Sequence, residues 1–189
     1  MFKKRGLFVV LGAVALAVLG TTFVLARTGG STANADAGTF ESMLAAKAGI
    51  SVDTLHLVES AGLNVVADKA VNEGQLTSDQ GTRLRNVTLS PLLEQAFSDL
   101  ANSTNTSEQN LFNGLAAHQS LAQIASTNGV DVATLKTRLS QLANNDIDTA
   151  VQMGVISPDL AAQAKAQVND ANLTQAINLT LPDGHDWQH

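Results

Sequence analysis

One phrase is written twice in this chain: Asp68 to Gln80 reads DKAVNEGQLTSDQ, and Asp148 to Leu160 reads DTAVQMGVISPDL. The likeness extends well beyond the phrase. With an offset of eighty and no gap, Leu44 to Phe97 lies over Ile124 to Ile177. Identical pairs include Ala45/Ala125, Gly49/Gly129, Val52/Val132, Leu55/Leu135, Asp68/Asp148, Val71/Val151, Gly74/Gly154 and Asp79/Asp159. Roughly a quarter of the aligned positions match, several times the random expectation, and this reads as an internal duplication. A duplicated unit of this size restricts the chain to two copies of one small architecture.

The matched positions are mostly the punctuation of helices. In the first unit a helix begins near Thr39 and stops at Gly49, a residue that takes the left-handed conformation of a C-terminal cap without steric cost. Ser51 then caps a long helix, Val52 to Glu73, which Gly74 ends; Leu76 plugs the turn. Thr77 opens the next helix with Gln80 three residues on, the capping-box spacing. Ser90-Pro91 starts a last short helix, proline suiting the first helical position. The second unit repeats the pattern: a helix from about Ser107 to Thr127, then Asp131 capping Val132 to Met153, Gly154 as the stop, and Ser157-Pro158 as the next start. Val132, Leu135, Leu139, Leu142, Ile147 and Ala150 form one apolar stripe at helical spacing. No segment alternates as a half-buried strand does. The predicted fold is all-α: two homologous helical units of about eighty residues, 39–101 and 108–179, joined by a linker at 102–107 (NSTNTS) and followed by a flexible tail at 180–189.

Ahead of the units the chain has the layout of a targeting segment. Lys3, Lys4 and Arg5 precede the uncharged apolar run Gly6 to Ala26, and Ala33-Asn34-Ala35 offers a small-residue cleavage site before Asp36. Residues 1–35 are therefore expected to be a signal peptide, with an uncleaved N-terminal membrane anchor as the alternative. Both outcomes place Phe40 onward in the cell envelope or outside the cell. Without Lys3, Lys4, Arg5 and Arg27, 7 of the 11 basic residues remain against all 17 acidic ones, a net charge of −10. Such a surface repels phosphate backbones and anionic headgroups, so nucleic acid is not an expected partner. Membrane contact is expected only through the N-terminal segment if it is uncleaved. The chain has no cysteine, which removes disulfides, thiolate metal sites and cysteine nucleophiles from consideration.

The order Gly49-Ile50-Ser51-Val52-Asp53-Thr54-Leu55, followed by a helix ending in the Ala70 to Asp79 pattern, resembles the small exported bacterial proteins of the YckD-like group. The resemblance covers most of Leu44 to Ile177 twice over. Gln80-Gly81 and Leu160-Ala161 depart from the Gln-Ala pair that such proteins carry after the acid. The resemblance implies an exported helical protein, and it brings no activity, ligand or catalytic residue.

Four constellations stand out as candidate sites. Ser60, Asn64 and Asp68 are four apart on the first long helix, and Ser140, Asn144 and Asp148 repeat them on the second. That polar stripe is a candidate ligand groove between the units, against a plainer role in hydrogen bonding neighbouring helices. In the tail, Asp183, His185, Asp186 and His189 are of the residue types that ligate zinc, copper or nickel. Leu121 to Leu139 has the pattern of a helix-turn-helix, which would place Thr134, Lys136, Thr137 and Arg138 near bases; export and the acidic surface oppose that use. His56 and His118 are the only histidines in the units, and neither recurs at the offset of eighty. His118, following Leu111 and Leu115 on one helix face, reads as a core-edge residue. Asp79 and Asp159 read as first-turn acids favoured by the helix dipole. No nucleophile, base and orienting group are brought together, so no enzyme and no cofactor are expected. The expected function is a non-enzymatic exported helical-repeat protein, a cell-envelope structural or protein-interaction module whose partner is a protein or envelope component. The alternative is an exported small-ligand or metal-binding protein using the groove between the units or the histidine-containing tail.

Overall fold

A computed structural model describes residues 39–87 and 89–180. The predicted targeting segment and the candidate metal ligands Asp183, His185, Asp186 and His189 lie outside the described residues. The described chain is all-α, with nine helices: α1 (Phe40–Ala48), α2 (Val52–Asn72), α3 (Ser78–Arg85), α4 (Leu89–Ser103), α5 (Glu108–Ala116), α6 (Leu121–Thr127), α7 (Val132–Gln152), α8 (Pro158–Gln167) and α9 (Asp170–Asn178). Among them no helix is long and apolar enough to cross a membrane.

The predicted starts and stops form as local chemistry requires. Ser51 Oγ accepts from the Thr54 amide at 3.1 Å, and the Asp131 carboxylate accepts from the Thr134 amide at 2.8 Å, each satisfying a donor that the first turn leaves unpaired. Thr77 and Gln80 make the reciprocal capping box. At the other end of the two 21-residue helices, Gly74 (φ 68°) and Gly154 (φ 67°) turn the chain in the left-handed region. The amides beyond them return to helical carbonyls, Gln75 to Ala70 and Val155 to Ala150. Leu76 and Ile156 then enter the core at 4% and 3% exposure. The doubled phrase is thus one backbone device used twice.

Three apolar cores hold the helices. One gathers Phe40 and Leu44 of α1, Leu55 of α2, Phe97 of α4, Leu111 of α5 and Ile124 of α6; the Phe40 and Phe97 rings stack at 4.2 Å between centroids. The middle core joins Leu63, Ala67, Leu76 and Leu84 to Ile147, Ile156, Ala161 and Ala164. The third packs Ala125, Val130, Leu135 and Ile177. Each long helix therefore reaches from its own end core to the shared middle one, a span of about 30 Å at 1.5 Å per residue. Two of the three cores draw residues from both halves of the chain.

Three local expectations are corrected. The helix expected over Ser107 to Thr127 is two helices, broken at 117–120, where His118 takes φ 60°. Gly114 makes the break possible: Ile124 packs so near it that a β-carbon there would lie 2.8 Å from Ile124 Cδ1. Ser120 and Gln123 then restart the chain with a second capping box. His118 consequently sits past a helix end and is exposed, not at the edge of a core on a helix face. The helix expected to start at Ser90-Pro91 and be short is α4, a 15-residue helix. Finally, 102–107 is structured: Asn102 and Ser103 belong to α4, Thr104 is wholly buried, and the Thr106 amide donates to the Ala101 carbonyl at 3.0 Å.

Candidate functional site

Two residues of the polar stripe, Asp68 and Asp148, hold neighbouring helices in place. Arg85 on α3 pairs with Asp68, and Lys165 on α8 donates to both carboxylate oxygens of Asp148 at 2.7 Å. Arg85 and Lys165 are themselves eighty apart, so the ion pair recurs with the phrase. Asn144 donates to the Ser140 carbonyl at 2.7 Å within α7. Ser60, Asn64 and Asp68 are exposed, and none of the six residues lines the open cleft of about 480 Å³ where the two copies of the phrase meet. That cleft is formed by Thr77, Asp79, Gln80 and Arg83 facing Gly154 and Ser157. Asp79 and Asp159 occupy the first turns of α3 and α8 as expected.

The helix-turn-helix segment is present as α6, Gly129 (φ 78°) and α7, with Ala125 and Leu135 buried at the crossing. Its base-facing candidates are used elsewhere in the chain. Lys136 Nζ donates to Asp170 at 2.7 Å, Arg138 donates to the Ser103 carbonyl at 2.9 Å, and Thr134 and Thr137 bond to Asp131 and the Ala133 carbonyl. The segment packs α9 and the end of α4 in place.

A different group of residues forms the most unusual chemical environment among the described residues. His56 and Glu59, one helical turn apart on α2, point from the same face toward Glu41 in the first turn of α1. One ligand atom from each of the three lies within 4.8 Å of the others. His56 Nε2 and Glu41 Oε2 are 3.0 Å apart and share a hydrogen bond. Glu41 and Glu59 each expose only 8% of their surface, whereas the His56 side chain is 43% exposed. Beside them Glu94 of α4 accepts from the Phe40 and Glu41 amides at 3.0 and 2.8 Å, closing the positive end of α1.

Two carboxylate oxygens here, Glu41 Oε1 and Glu59 Oε1, are buried and accept no hydrogen bond among the described residues. Leaving a buried polar atom unpaired costs about 1–3 kcal/mol, more for a charged group. The electrostatics follow from the crowding. Burial, with the Glu41 charge beside it, pushes the Glu59 carboxyl up to about 7. The hydrogen bond to Glu41 raises the His56 imidazole above its ordinary value against the opposing effect of burial. A solvent-reached imidazole backed by two buried carboxylates is a donor set for a proton or a cation. Sequence reading missed it because Glu41 comes from another helix. The available signal was Glu59 itself, which stands eighty residues ahead of Leu139 and interrupts an apolar position.

No protein-family model, curated protein or solved structure matches the chain.

Proposed function

We propose that this is an exported, non-enzymatic helical-repeat protein that serves the cell envelope as a structural or protein-interaction module. The carrying observation is the middle core, in which the two copies of the repeated phrase meet through Ala70, Leu76, Val155 and Ile156. The residues the units share go into building a scaffold: paired left-handed glycines, paired aliphatic plugs and the paired Asp68–Arg85 and Asp148–Lys165 contacts. The same correspondences support descent of the two halves from one duplicated unit. The basic start, apolar run and Ala33-Asn34-Ala35 site support export. An acidic surface on which Arg85, Lys136, Arg138 and Lys165 are engaged within the chain suits contact with neutral or basic envelope components. Fractionation after in-cell crosslinking tests the reading. The chain should appear in the envelope or the medium, beginning at Asp36 if cleaved or intact if anchored, with a reproducible crosslinked envelope partner. A chain confined to the cytoplasm would end the proposal.

A further inference from the structure

We propose that Glu41, His56 and Glu59 form a binding site for a divalent transition-metal ion of the zinc type, held between the first turn of α1 and one face of α2. Three observations carry the assignment. The first is the donor set: an imidazole nitrogen and two carboxylates, with ligand atoms within 4.8 Å of one another, come from two helices that pack in the same core. Oxygen and imidazole ligands bind zinc at about 2.0–2.2 Å, so donors around one tetrahedral ion stand about 3.3 Å apart. The His56–Glu41 pair already stands at 3.0 Å, and the remaining difference falls to the glutamate side chains.

The second is the state of the carboxylates. Glu59 is more than nine-tenths buried, it brings a carboxylate oxygen into the group, and its Oε1 has no hydrogen bond among the described residues; Glu41 Oε1 likewise has none. The hydrogen bonding of the fold therefore leaves acceptor capacity unused on both carboxylates of the group. Glu94 is near but occupied, since both of its oxygens accept amides of α1. It neutralises the end of that helix and fixes where Glu41 begins.

The third is a comparison within the chain. At the offset of eighty, Glu41 corresponds to Leu121 and Glu59 to Leu139, and both leucines pack against the third core. The same backbone positions thus accept ordinary apolar residues. Replacing buried ionic groups by well-packed apolar ones is often neutral or stabilising, so packing alone does not call for the two glutamates. The exposed edge of His56 gives the ion a route in and leaves a coordination position for water. Magnesium and calcium, which prefer oxygen alone, suit a site with an imidazole less well.

The experiment is a zinc titration of the full chain in detergent micelles, read by calorimetry and by the shift in thermal midpoint. It is repeated on the tail variant His185→Ala/His189→Ala and on Glu59→Gln. We expect zinc to bind with micromolar or tighter affinity and raise the midpoint. The tail variant should retain one equivalent, and Glu59→Gln should weaken that equivalent by about tenfold or more. Glu59→Leu, the residue of the second half, supplies a variant expected to fold and to lose the same equivalent. Absence of binding, or binding unchanged in Glu59→Gln and abolished in the tail variant, would overturn the assignment.

Discussion

Gly81 on α3 faces Val71 on α2 so closely that a β-carbon on Gly81 would overlap Val71 Cγ2. The second half has Ala161 and Val151 at these positions, so the tight approach belongs to the first. Replacing Gly81 by Ala has two opposed effects. Alanine favours a helix interior over glycine by about 1 kcal/mol, whereas forcing a methyl group into a filled contact costs about 1–3 kcal/mol. Gly81→Ala is expected to destabilise the protein by ~1 kcal/mol alone and to stabilise it in a Val71→Ala background. Urea denaturation of the four proteins of the cycle measures both signs. Stabilisation in both backgrounds would show that α3 moves away freely.

Gly62 is the opposite case. It lies mid-way along α2, exposed, and a β-carbon there would meet nothing within 4 Å. Only the helix preference remains, so Gly62→Ala should raise stability by about 1 kcal/mol. An unchanged or lowered denaturation midpoint would mean that this face of α2 is covered.

Much of the fold was legible because its signals are local. Gly49, Gly74, Gly129 and Gly154 each end a helix through their own φ, and Ser51, Thr77, Asp131 and Ser157 each start one through a bond three residues on. The break before Ser120 was equally local, with Gln123 at capping-box spacing. Leu111, Leu115 and Ile124 nonetheless share one core across the break, so apolar residues continue on both sides of it. The tertiary partners were less accessible. The stripe residues Asp68 and Asp148 find their cations seventeen residues on, across a turn, where periodicity along one helix says nothing. Glu41 meets His56 across the α1–α2 corner, and its importance rests on burial that composition does not report.

The Ser120 start lends itself to a direct measurement. Ser120 is buried, its hydroxyl accepts from the Gln123 amide at 3.3 Å, and its own amide donates to Gln123 Oε1 at 2.8 Å. Ser120→Ala strands a first-turn amide and should cost about 1 kcal/mol in chemical denaturation. Ser120→Thr keeps an acceptor and should cost less than the alanine variant. Equal losses in the two variants would assign the cost to packing around the buried side chain.

The two long helices begin with different caps, and this gives one of them a pH dependence. Asp131 accepts from the Thr134 amide at 2.8 Å and from its hydroxyl at 2.7 Å, and these bonds hold its carboxyl below the ordinary aspartate value of 3.8. Ser51, in the corresponding place on α2, caps with a hydroxyl that has no charge to lose. Because the folded form holds the Asp131 proton less tightly, the unfolded chain binds more protons in this window, and stability rises with pH there. The contribution of the cap is complete above the ordinary aspartate value and is lost as the pH falls through the lower folded value. In Asp131→Ser the cap persists without the titration. Denaturation midpoints followed from about pH 6 to pH 2 should therefore fall less steeply in Asp131→Ser than in the unmodified chain at the acid end. The two curves should run parallel above the aspartate range. Curves that stay parallel throughout would show that the Asp131 carboxyl titrates alike in the folded and unfolded chain.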